Sequence, residues 1–89
     1  MEYQVTHIIP DGSDPRHRID AIYGPLCGLI YEDDAIRQME WRLKSFFTLA
    51  YNFYRAEVHI VEPSFGPKFL STSPDGVGAN NLCELPHWR

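Results

Sequence analysis

Only one stretch of this chain carries a helical period, and the segments around it are written in the two-residue period of strands. Ile36, Met39 and Leu43 stand at i, i+3 and i+7, the apolar stripe of an amphipathic helix. Glu32-Asp33-Asp34 precede the stripe, where the helix dipole favours negative charge. Arg37, Arg42 and Lys44 fall in the later turns, where it favours positive charge. The pattern predicts one helix over residues 33–43, with Asp33 as N-cap and Trp41 at the edge of the stripe.

The strand signals lie on both sides of it. Residues 3–9 are β-branched and aromatic; Tyr3, Val5 and His7 are expected to face one way, and Gln4, Thr6 and Ile8 the other. Pro10 ends this run, and Asp11-Gly12-Ser13-Asp14-Pro15 reads as a loop. A second strand alternates Ile19, Ala21 and Tyr23 against Arg18, Asp20 and Ile22, and Gly24-Pro25 breaks it. Residues 26–31 are apolar, and two nearby glycines, Gly24 and Gly28, leave a loop or a brief strand open. After the helix, residues 46–51 and 56–61 read as the arms of an antiparallel hairpin. Residues 63–67 read as a turn and Lys68–Thr72 as a last strand completing a meander. The expected fold is α+β, a mainly antiparallel sheet in the order β-β-α-β-β-β. One helix packs on one face and an irregular C-terminal tail docks behind.

At 89 residues the chain is expected to form a single small domain over residues 1–89. A domain of this size has a stability of about 4–13 kcal/mol. It leaves little room for a deep, fully walled cavity, so a shallow cleft, sheet edge or interface is the expected kind of site. Twelve acidic against eight basic side chains give a net charge of −4, which disfavours a polyphosphate partner. The opening residues lack a signal peptide's basic start and apolar run, and no stretch reaches the roughly 20 apolar residues of a membrane span. With only Cys27 and Cys83, a cytoplasmic protein with reduced thiols and no membrane is expected.

The final third is the most specific part. Lys68-Phe69-Leu70-Ser71-Thr72 runs into Asp75-Gly76, then Asn80-Asn81-Leu82 and Leu85-Pro86. Together with the opening strand and Arg18-Ile19-Asp20-Ala21-Ile22, the acidic start of Asp34-Ala35-Ile36, and Phe46-Phe47, this order resembles an uncharacterised family of short bacterial proteins. That family is the domain of unknown function numbered 3892. The resemblance implies a fold and no known activity.

No motif carries a reaction. His7, His17, Cys27, His59, Cys83 and His87 form neither a Cys-x-x-Cys nor a His-x-x-x-His pair, so neither metal nor cofactor is expected. No strand–turn–helix elbow surrounds a serine, and Gly76-Val77-Gly78 is not followed by a phosphate-binding helix. Three clusters remain as partner-binding candidates. Arg16 and Arg18 can pair with acidic groups. Asp75, Asn80 and Asn81 form a polar group that serves equally well to satisfy irregular backbone. Phe53, Tyr54 and Trp88 belong to an aromatic surplus that one helix cannot cover. The favoured reading is a non-catalytic protein-binding or regulatory module, one version of which is encoded by a phage or mobile element. Its expected partner is another protein, or a second copy met through the uncovered sheet face. The alternatives are a nucleic-acid-binding domain using Arg16 and Arg18, and a small-ligand domain or enzyme around Asp75 and Asn80.

Overall fold

A computed structural model describes residues 1–10, 19–49, 55–72, 82 and 85–88. Among these described residues, eight strands and one helix run β1 (Glu2–Gln4), β2 (His7–Pro10), β3 (Ile19–Gly24), β4 (Gly28–Tyr31), α1 (Glu32–Glu40), β5 (Ser45–Leu49), β6 (Arg55–Glu57), β7 (His59–Val61) and β8 (Phe69–Ser71). The class is α+β. Four strand pairings are antiparallel; β1 with β5 is parallel.

β5 is the hub. It pairs with β1 on one side and β6 on the other, and the β5–β6 pair is the expected hairpin. Its two neighbours then leave it. The Val5 N–H still donates to Phe47 (2.8 Å), whereas the Thr6 N–H donates to Tyr23 (2.8 Å), so the chain passes from β5 to β3 within one residue. On the other side the Val58 N–H donates to Phe46 (3.0 Å) before β7 turns to pair with β8. Two expected continuous strands, 3–9 and 56–61, are therefore each divided. The expected alternation is reset at both breaks. Val5 and Ile8, three residues apart, are both buried, and so are Val58 and Val61.

Residues 28–31, left open between loop and strand, form β4 and lengthen the expected element order by one strand. Gly24 and Gly28 close the β3–β4 hairpin opposite each other. Gly28 takes φ +73°, a conformation side chains disfavour, while Gly24 lies so close to β1 that a Cβ would sit 2.0 Å from the Gln4 carbonyl oxygen.

The helix starts and stops earlier than its sequence pattern suggests. Asp33 is not the N-cap: Tyr31 holds that position without a side-chain bond, and Glu32, Asp33 and Asp34 all lie in the first turn. The Glu32 carboxylate instead accepts the Leu70 N–H of β8 at 3.2 Å. At the other end Arg42 adopts φ +58°, its N–H donates to Met39 and the Leu43 N–H donates to Gln38. These two bonds are a Schellman closure, which ends the helix before Leu43. Leu43 is exposed and outside the stripe, whereas Ala35 and Ile36 are buried and Met39 packs beside them. α1 packs against β3, β4 and β8, so it touches both the β2–β3–β4 sheet and the β7–β8 pair. Val5, Ile8, Ile22, Phe46 and Leu82 lie in the core beneath it.

The expected loop at 11–15, the hairpin tip at 52–54 and the Asp75-Gly76 turn lie outside the described residues.

Candidate partner-binding face

The sheet β2–β3–β4 has one apolar face inside and one outside. Register places Ile8, Ile22 and Ile30 side by side, and all three are buried. Because side chains alternate along a strand, the neighbouring rows lie on the opposite face. One row is His7, Tyr23 and Leu29; the other is Ile9, Ala21 and Tyr31, and within them Ala21 is fully buried while Leu29 and Tyr31 are exposed. This outer face is not polar, as a solvated sheet face usually is.

Its first half is covered by the chain itself. The Trp88 indole stacks on the Tyr23 ring with centroids 3.6 Å apart and planes 15° from parallel. The His7 imidazole meets Tyr23 and Trp88 edge-on, at 5.9 and 5.4 Å. Thr6 Oγ1 and His7 Nδ1 lie 2.9 Å apart, which orients the imidazole. Backbone bonds hold the tryptophan there: the Ile8 N–H donates to Pro86 at 3.0 Å and the Trp88 N–H donates to Ile8 at 2.8 Å. Two backbone bonds and one aromatic stack fasten this segment by about 2–4 kcal/mol.

Among the described residues the face is exposed at its β4 margin. Leu29 is 40 % exposed and Tyr31 is 56 % exposed, on the outermost strand of the sheet. Leu26, at the tip of the β3–β4 hairpin, is 82 % exposed. The sheet β1–β5–β6 presents a contrast. There the Arg55 guanidinium lies 4.1 Å over the Phe47 ring and pairs with Glu2 and Glu57, at 2.6 Å each, so charge covers that aromatic face.

Of the residues expected to bind a partner, the structure describes Trp88 alone, and it joins this face. Arg16, Arg18, Phe53, Tyr54, Asp75, Asn80 and Asn81 lie outside the described residues. Tyr23, Leu29 and Tyr31 were not among the residues expected to bind a partner. The alternation of Leu29 and Tyr31 about Ile30 was the available signal, and the flanking glycines obscured it.

Cys27 is a free, half-buried thiol in the hairpin. Burial pushes its pKa above the ordinary value, with its own backbone hydrogen bond and the nearby Lys44 charge opposing the rise. That is the opposite of what an activated nucleophile needs. Among the described residues no group of three or more His, Cys, Asp or Glu could hold a metal ion. Nor is any helix among them long and apolar enough to cross a membrane.

No curated protein and no solved structure matches the chain. A family model described as "Protein of unknown function (DUF3892)" matches residues 29–86. That span contains the Asp34-Ala35-Ile36 helix start, Phe46-Phe47 and the 68–86 stretch; the opening strand and residues 18–22 precede it. The match takes in well over half of the 89 residues, so the chain belongs to the DUF3892 family of proteins of unknown function.

Proposed function

We propose that this protein is a non-catalytic protein-binding module that meets its partner through the outer face of β2–β3–β4. One observation carries the reading: Leu29 and Tyr31 leave apolar and aromatic surface exposed beside the packed His7–Tyr23–Trp88 group. A solvated sheet gains nothing from such residues, whereas aromatic anchors beside a rigid support are what interfaces use. The partner is another protein or a second copy of this chain. The acidic triplet Glu32-Asp33-Asp34 directly follows Tyr31 and counts against a nucleic-acid partner on this face.

The test is capture from a lysate of the native host with the tagged chain, followed by mass spectrometry. A stoichiometric protein is expected with the native chain and not with a Leu29→Asp, Tyr31→Asp double variant whose circular dichroism is unchanged. Equal retention by the variant, or recovery of nucleic acid alone, overturns the reading.

A further inference from the structure

The way residues 86–88 sit on β2 is itself a mode of peptide recognition. The Ile8 N–H and C=O flank His87 by bonding to Pro86 and Trp88, which is parallel strand pairing. Trp88 inserts its ring against Tyr23 and His7, while His87 between the two bonded residues is exposed. Strand addition to a sheet edge works in this manner: main-chain bonds give affinity, and a side-chain site gives selectivity. The edge is short. Pro10, two residues beyond Ile8, has no N–H to offer, so among the described residues the site is one bridge and one aromatic anchor, with Leu85 packed on the core just before it.

We propose that the β2 edge beside Tyr23 and His7 is an acceptor site for an extended peptide of pattern Pro-x-Trp. Residues 86–88 fill it in cis, and a partner strand of that pattern replaces them. The inference deepens the protein-binding reading and rests on it only in that the partner is a protein; it uses residues other than Leu29 and Tyr31. A site occupied in cis shows an incoming peptide an affinity reduced by the fraction of time it stands open. Emptying the aromatic site must therefore strengthen binding in trans.

The probe is the peptide Glu-Leu-Pro-His-Trp-Arg with fluorinated tryptophan, titrated into the full chain and into its Trp88→Ala variant and followed by NMR. Trp88→Ala is expected to bind at least about tenfold tighter than the native chain, and Tyr23→Ala added to it is expected to abolish binding. Equal affinity for the native and Trp88→Ala chains, or binding that survives Tyr23→Ala, overturns the proposal. If Trp88→Ala does not fold, the native chain decides. Excess peptide is expected to remove solvent-exchange protection from the Trp88 amide and leave it on the Ile8 amide. Unchanged protection of Trp88 overturns the proposal. Lysate capture through Leu29 and Tyr31 is a separate readout, so loss of one interaction leaves the other standing.

Discussion

Thr48 is 1 % exposed, and its hydroxyl has no hydrogen-bond partner among the described residues. A buried hydroxyl without a partner keeps its desolvation cost and gains nothing back. Thr48→Val keeps the shape and removes that cost, so it is expected to stabilise the fold by about 1–2 kcal/mol. For a domain of this size each kcal/mol raises the thermal midpoint by roughly 4–8 °C, which a melt followed by circular dichroism would resolve. A lower midpoint would show that the hydroxyl is satisfied after all. At this same scale the candidate site was only partly legible. Trp88 was expected as surplus aromatic surface, and in the fold its ring packs on Tyr23 and His7. Those contacts were not legible, because the two residues lie 65 and 81 positions away, and no local pattern encodes a contact across that span. The role of Gly24 was hidden in the same way. In the sequence it marks a turn, whereas in the fold it makes room for a carbonyl of β1.

Among the elements, α1 shows how propensity and closure compete. Its apolar stripe and acidic start announce a helix, and there is one. The stripe overstates its length, because Arg42 takes a left-handed conformation and the chain closes back on Gln38 and Met39. A residue with a Cβ pays roughly 1–2 kcal/mol there, and glycine avoids that cost while losing some chain entropy. Arg42→Gly is therefore expected to raise the midpoint of urea unfolding, with a net gain of up to about 1 kcal/mol. An unchanged or lower midpoint would mean that the arginine side chain makes contacts worth as much as the strain. The strands show a related limit. Residues 28–31 have the alternation of a half-buried strand, yet a glycine at each end of the turn reads equally as loop. Only pairing with β3 decides between them.

In the molecule as a whole, β5 is where the chain passes between the three sheets, through the Val5 and Val58 N–H groups that donate to its carbonyls. Phe46 is 1 % exposed at its centre, Tyr3 packs against its ring at 6.3 Å, and its carbonyl receives Val58 where the chain leaves β6. Phe46→Ala is expected to cost about 3–5 kcal/mol, comparable with the lower end of the whole stability of a domain this size. Denaturant unfolding should show a large unfolded fraction without denaturant, or a midpoint near zero. A loss below about 1 kcal/mol would show that the sheets do not depend on this strand. The sequence by itself determined the class: one amphipathic stripe among alternating runs, in a chain long enough for a single core, leads to α+β. Local periodicity is enough for that, since it is written in neighbouring residues. The tertiary structure decided where Val5 and Val58 break their strands, that β1 lies parallel to β5, and that Trp88 returns to β2. Each depends on a hydrogen bond or ring contact between distant residues, whose geometry exists only once the chain has closed on itself.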